Sequence, residues 1–182
     1  MERLSEQYTN RIKLELKKEL GYKNDFESPQ IEKIVVSSGI GDFKEDKKIV
    51  EQISTELTRI TGQKVKLNLS KKAVSAFKLR IGQPIGLTVT LRGTRMYDFI
   101  NRLVNVALPR VRDFRGLSNT SFDEKGNYSI GLRDYSIFPE IKFEEATVNF
   151  GLEINIKIRS KSKEDSKQLL VRLGFPFKKE GK

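Results

Sequence analysis

The sequence predicts an α+β fold: an antiparallel-rich sheet with helices packed on one face, a polar opposite face and a long protruding loop. Three segments alternate apolar and polar residues, so each offers one greasy face and one wet face. Antiparallel sheets tolerate that arrangement, whereas wholly parallel sheets are covered on both sides. Amphipathic helical stripes lie between the strands and supply the cover. No composition break or internal repeat divides the 182 residues, so a single domain over residues 1–182 is expected.

The elements follow in order. Leu4, Tyr8, Ile12, Leu16 and Leu20 recur every four residues, a helix stripe ended by Gly21. Ile31 to Val36 is a β-branched run after Pro29 and predicts a strand. Ile49, Val50, Ile53, Leu57 and Ile60 predict a second helix, closed by Gly62. Val65, Leu67 and Leu69 alternate with Lys64, Lys66 and Asn68; Ile85, Leu87, Val89 and Leu91 alternate with Gly86, Thr88, Thr90 and Arg92. Met96, Phe99, Ile100, Leu103 and Ala107 then predict a helix up to Pro109. Phe150, Leu152, Ile154, Ile156 and Ile158 form the clearest alternating strand. Ser162 opens the last helix, with Leu169, Leu170 and Leu173 inward and Gly174 as its stop. The Phe-Pro-Phe at 175–177 is expected to dock, with a frayed basic tail after it.

Composition narrows the chemistry. The absence of cysteine removes disulfides and thiol catalysis, and the absence of histidine removes the commonest general base and metal ligand. No stretch approaches the roughly 20 apolar residues of a membrane span, and no signal-peptide pattern opens the chain. A cytosolic protein with no metal, no cofactor and no membrane partner is expected. The net charge of +11 is unevenly placed. Between Glu56 and Asp98 there is no acidic residue, yet Arg59, Lys64, Lys66, Lys71, Lys72, Lys78, Arg80, Arg92 and Arg95 lie there. Removing these nine from the 35 basic residues leaves 26 against 24 acidic ones. One block therefore carries the field, an electrostatic footprint for a phosphate backbone.

Four segments invite a chemical reading. Ser38-Gly39-Ile40-Gly41 resembles a phosphate-binding turn, but Lys44 stands where a dinucleotide fingerprint needs its third glycine. A tight turn requiring positive φ explains the glycines better. Residues 70–84 set Lys71, Lys72, Lys78 and Arg80 around Phe77, a basic arm with a central aromatic; burial would leave four cations unpaired. Lys64, Lys66, Asn68, Thr88, Thr90 and Arg92 share a polar sheet face that lacks stacking aromatics. Such a face suits structured RNA read by shape. The run from Pro109 to Ile141 carries Arg110, Arg112 and Arg115 among glycines and aromatics, and reads as a rigid excursion whose far end, Tyr128 and Ser129, returns to the sheet. The carboxylates Asp113, Asp123, Glu124, Asp134, Glu140, Glu144 and Glu145 form no acid/base pair or metal spacing.

The run PRVRDFRGLS, followed by SFDEKGNYSIGL and IFPEI, resembles the bacterial large-subunit ribosomal protein family L-five. IEKIVVSSGIGD, TGQKV, AFKLRIGQPIGLTVTLRGTRMYDFINRL and the terminal FPFKK agree in order, so the likeness extends over nearly the whole chain. The resemblance implies a non-enzymatic ribosome component of the central protuberance that binds 5S rRNA through its sheet face. It assigns Ser37, Gln63, Lys64, Thr88, Thr90, Arg92, Tyr128 and Ser129 to 5S rRNA. It assigns Lys71, Lys72, Phe77, Lys78, Arg80 and Gln83 to a loop facing the peptidyl-site tRNA. It makes Arg110, Arg112, Asp113 and Arg115 bridge or scaffold residues towards a small-subunit head protein of the S-thirteen family. Large-subunit rRNA and neighbouring central-protuberance proteins are the other implied partners, on cytoplasmic ribosomes. Ser37 and Ser38 stand where the family commonly has an asparagine before the turn, which shifts reliance towards Thr90 and Arg92. The residues alone also leave a general RNA chaperone, a tRNA-binding module or a nucleotide-dependent enzyme as alternatives.

Overall fold

In a computed structural model the described residues are 3–141 and 148–178. Glu144, Glu145 and the tail at 179–182 lie outside them. The chain divides into two compact units. One comprises Met1–Ile34, Arg92–Ile130 and Asn155–Lys182; the other comprises Val35–Leu91 and Gly131–Ile154.

Five strands, β1 (Gln30–Gly39), β2 (Lys66–Leu69), β3 (Pro84–Leu91), β4 (Tyr128–Leu132) and β5 (Leu152–Arg159), form one sheet in the order β2-β3-β1-β5-β4. The sheet is antiparallel. Lys66 faces Thr88 and Asn68 faces Gly86 across the β2–β3 ladder. Ser38 reaches Gly151 while Glu32 reaches Lys157, so the partner number falls as the chain number rises. Alternation holds best on β5, where Leu152, Ile154, Ile156 and Ile158 are buried and Glu153, Lys157 and Arg159 are exposed. β1 keeps the pattern at Ile34, Val36 and Ser38 but changes phase after Ile31.

In the unit containing the N-terminus, α1 (Leu4–Gln7) runs through a π-helical turn, Tyr8–Ile12, into α2 (Lys13–Glu19). The stripe explains the turn. Residues spaced by four drift about 40° per step around an α-helix, and a wider π turn takes up the drift and keeps Tyr8, Ile12 and Leu16 on one side. The same device recurs at α4 (Gly93–Arg102), the π turn Leu103–Ala107 and α5 (Leu108–Arg110), where Ile100, Val104 and Leu108 are four apart and buried. The Tyr8 and Tyr97 rings stack at 5.6 Å, and the Tyr8 hydroxyl donates to the Pro29 carbonyl at 2.9 Å. α6 (Lys163–Arg172) starts at Ser162, whose hydroxyl accepts from the Asp165 amide at 3.1 Å. Arg172 ties it back to Glu15 at 3.1 Å and to Glu19.

In the other unit α3 (Lys47–Thr61) packs on β3 through Val50, Ile53, Leu57 and Ile60 and ends at Gly62 with φ of 67°. Asp46 caps it, accepting from the Lys48 and Ile49 amides at 3.0 and 3.3 Å. Glu56 is buried on its inner face, where the alternation of apolar residues gives no sign of a carboxylate. It faces Tyr135, and burial together with that carboxylate pushes the Tyr135 hydroxyl pKa up. The Tyr135 ring stacks on Phe150 at 3.9 Å between centroids.

Candidate nucleic-acid interface

The unit holding β2 and β3 brings together most of the residues assigned by sequence to 5S rRNA. Antiparallel pairing puts Lys66 and Thr88 on the same face, and the Asn68 side-chain amide donates to the Thr88 hydroxyl at 2.5 Å. Thr90 follows Thr88 by two residues and shares that face. Lys64 is exposed just before β2. Gln63 has a bracing role as well, its side-chain amide donating to the Thr90 carbonyl at 3.1 Å. On β1, Ser38 turns inward and donates to the Gly151 carbonyl at 2.8 Å, so Ser37 is the serine on the polar face. The Ser37 hydroxyl points to the Glu153 carboxylate at 3.4 Å, a neighbour unfriendly to phosphate.

Arg92, Tyr128 and Ser129 belong to the other unit. Arg92 is exposed where β3 gives way to α4. Ser129 is exposed and donates to the Asn155 side-chain oxygen at 2.7 Å. Tyr128 sits elsewhere. It is 1% exposed, its hydroxyl donates to the Ser118 carbonyl at 2.7 Å, and burial pushes its pKa up to about 12. Its ring packs on Phe122 and Phe177 at 4.5 and 5.5 Å. Tyr128 thus supports β4 from inside, and Ser129 is what that strand presents. Asn155, Lys157 and Arg159 are the polar positions of β5 in this same unit. Their signal was the alternation already used to find the strand. Lys157 pairs with Glu32 at 3.0 Å, and this pairing holds the Glu32 carboxyl below the usual carboxylate range.

Residues 70–84 form a largely exposed arm. Ser70 and Gln83 share a backbone hydrogen bond at 2.8 Å, and Val74 and Leu79 exchange two, at 2.9 and 3.0 Å. Between them a 3-10 turn spans Ser75–Phe77, and Lys78 takes a left-handed conformation with φ of 47°. Lys71, Lys72, Phe77, Lys78 and Arg80 are all exposed, Phe77 at 73%. Gln83 turns back to the Arg80 amide, accepting at 2.7 Å, and so shapes the arm instead of reaching outward. β2 departs from its expected pattern. Leu67 and Leu69 are 43% and 50% exposed, because β2 is an edge strand and α3 covers its neighbour β3.

The excursion is pinned at its start. Leu117 and Phe177 form a parallel bridge, with the Leu117 amide donating to the Pro176 carbonyl at 2.7 Å. Arg110, Arg112, Asp113 and Arg115 are exposed ahead of that anchor, and Asp113 adopts φ of 55°. The anchor also confirms the expected docking of Phe-Pro-Phe.

The glycine turn is corrected. Neither Gly39 nor Gly41 has positive φ, and a Cβ on either would meet nothing within 4 Å. Positive φ was the wrong reason for these glycines. The turn also makes a poor phosphate site: Asp46 occupies the first amides of α3, and Asp42 and Glu45 line the same hollow of about 400 Å³. Among the described residues no group of acidic side chains is placed to hold a metal ion, and no helix is long and apolar enough to cross a membrane.

Fold and charge define the class: a basic α+β protein with exposed cations gathered on an arm. Family comparison agrees. The model for "Ribosomal protein L5" matches residues 24–80, and the model for the C-terminus of the same ribosomal family matches residues 84–177. Similar proteins include the large ribosomal subunit protein uL5 of Thermus aquaticus, 48% identical over 97% of both chains. That of Flavobacterium johnsoniae is 49% identical, also over 97% of both. That of Desulfotalea psychrophila is 48% identical over 98% of this chain and 100% of its own. The chain belongs to the ribosomal protein L5 family. It is therefore a non-enzymatic structural constituent of the large ribosomal subunit, acting in translation on cytoplasmic ribosomes.

Proposed function

We propose that this protein binds 5S rRNA and helps attach it to the central protuberance, with residues 1–182 acting as one binding module. One observation carries the reading: all nine cations of the acid-free run between Glu56 and Asp98 are exposed. The run holds no carboxylate of its own, so its summed field attracts a polyanion. Thr88, Thr90, Ser37, Lys64 and Ser129 supply hydroxyls and a cation for sugar and phosphate contacts, and Arg92 adds a forked donor. Tyr128, being buried, contributes by holding β4. In this reading the arm, residues 70–84, meets the peptidyl-site tRNA through Lys71, Lys72, Phe77, Lys78 and Arg80. Arg110, Arg112, Asp113 and Arg115 meet a small-subunit head protein of the S-thirteen family or brace the excursion. Large-subunit rRNA and other central-protuberance proteins complete the surroundings.

Titrating the purified protein with 5S rRNA over a series of salt concentrations tests this. Affinity should fall steeply with salt, because each phosphate neutralised releases counterions. Arg92→Ala should weaken 5S rRNA binding by about 1–3 kcal/mol, while Lys78→Ala should leave it intact. Equal affinity for 5S rRNA and an unrelated RNA duplex would make the protein a general RNA chaperone and overturn the specific reading.

A further inference from the structure

The glycine turn at 38–41 leads directly into a contact with the arm. Ile40 is fully buried, and its amide donates to the Ile85 carbonyl at 3.2 Å, next to the foot of the arm. Close by, Gly86 approaches Ser38 so tightly that a Cβ there would lie 3.3 Å from the Ser38 carbonyl oxygen. The 3-10 turn Gly41–Phe43 follows, held by the Phe43 amide donating to the Ile40 carbonyl at 3.0 Å. Lys44 ends that turn, and its ammonium donates to the Phe77 carbonyl at 2.6 Å, at the tip of the arm. The segment from Ile40 to Lys44 thus bonds β3 just past the foot of the arm and the arm itself at its tip.

The tip needs such a grip. Its own backbone offers only the Val74–Leu79 pair and the 3-10 turn, and Lys78 sits in a left-handed conformation that costs a non-glycine residue about 1 kcal/mol or more. Phe77 and Ile81 are 73% and 72% exposed, so buried side chains do little to hold it. A charged donor on a carbonyl is among the stronger single hydrogen bonds available to an exposed segment.

We propose that Lys44 is the positioning residue of the arm: its ammonium fixes the Phe77–Lys78 tip in one orientation before any RNA arrives. A preformed arm loses less entropy on binding than one that must order itself. Lys44 therefore acts on whatever the arm meets through the arm's geometry, without touching it.

The test uses the full chain with Lys44→Met, which keeps the stem and removes the donor, and Lys44→Arg, which restores a donor. Hydrogen exchange is read at the Lys78 and Leu79 amides, which donate to Ser75 and Val74, and tryptic cleavage is followed after Lys78 and Arg80. In Lys44→Met both should accelerate on the order of three- to tenfold, with melting temperature and 5S rRNA affinity unchanged, and Lys44→Arg should return to within about twofold of the parent. Unchanged exchange in Lys44→Met, or a Lys44→Arg protein as loose as Lys44→Met, would overturn the proposal. A further measurement rests on the reading of the arm as tRNA-facing: large subunits reconstituted with Lys44→Met should release peptidyl-site tRNA faster. A loosened arm with unaltered tRNA release would refute that reading and leave the positioning role standing.

Discussion

The arm at 70–84 and the excursion beginning at Pro109 are both long, basic and aromatic in sequence, yet they are held in opposite ways. The arm keeps its side chains outside and is shaped by backbone hydrogen bonds, with Phe77 and Ile81 in water. The excursion keeps its arginines outside but buries Leu117, Phe122 and Tyr128 against the C-terminal Phe177. The difference separates display from support. An aromatic ring in the arm is free for a partner, whereas one in the excursion stabilises the protein itself.

The contrast can be broken most forcefully at Phe122. Phe122→Ala removes the ring that touches both Tyr128 and Phe177, and should cost about 3–5 kcal/mol in denaturant unfolding. A loss well under 1 kcal/mol would put the excursion in the same class as the arm. Gly116→Ala should cost about 2 kcal/mol. Gly116 has φ of 97°, and a Cβ there would come within 2.8 Å of the Lys178 backbone nitrogen.

Asp123 provides a smaller and pH-dependent effect. Its carboxylate accepts from the Lys125 and Asn127 amides at 2.9 and 2.8 Å and from the Asn127 side chain at 2.7 Å. The Asn127 side-chain hydrogen bond above all lowers its pKa below the ordinary 3.8. Its stabilisation is therefore complete above pH 3.8 and is lost as the pH falls through the lower folded value. Asp123→Ala should cost about 1 kcal/mol at neutral pH, and the gap to the parent should close in acid melts. The smallest effect is expected in the arm. Phe77→Ala should change stability by no more than about 0.5 kcal/mol, while weakening whatever RNA contact the arm makes.

The elements that read most clearly in the sequence were those whose neighbours are interchangeable. Ile154, Ile156 and Ile158 are inward because β5 lies between two strands and any cover would bury them. Gly62 and Gly174 end helices with positive φ, a property of a single residue and its backbone. The π turns were latent in the four-residue spacing of Tyr8, Ile12 and Leu16, although the spacing alone reads as an ordinary helix. β4 was hidden because Gly126 and Gly131 mark it as loop, yet Tyr128, Ile130 and Leu132 alternate as buried residues.

The candidate interface was legible in part, for a related reason. Net charge over a segment is a sum over residues, so the acid-free block and its exposure could be anticipated from composition alone. The fold class followed from alternation in the same additive way. Individual contacts are not sums. That Tyr128 faces inward while Ser129 faces out depends on which segment covers β4. That Leu67 and Leu69 are half-exposed depends on β2 being an edge. That Lys44 reaches Phe77, and that the glycine turn needs no positive φ, depends on how β1 lies against β3. The sequence by itself determined a basic α+β protein of the ribosomal protein L5 family with its cations gathered in one block. Only the tertiary structure decided which aromatic rings hold that protein together and which are offered to a partner, because burial is fixed by residues far apart in the chain.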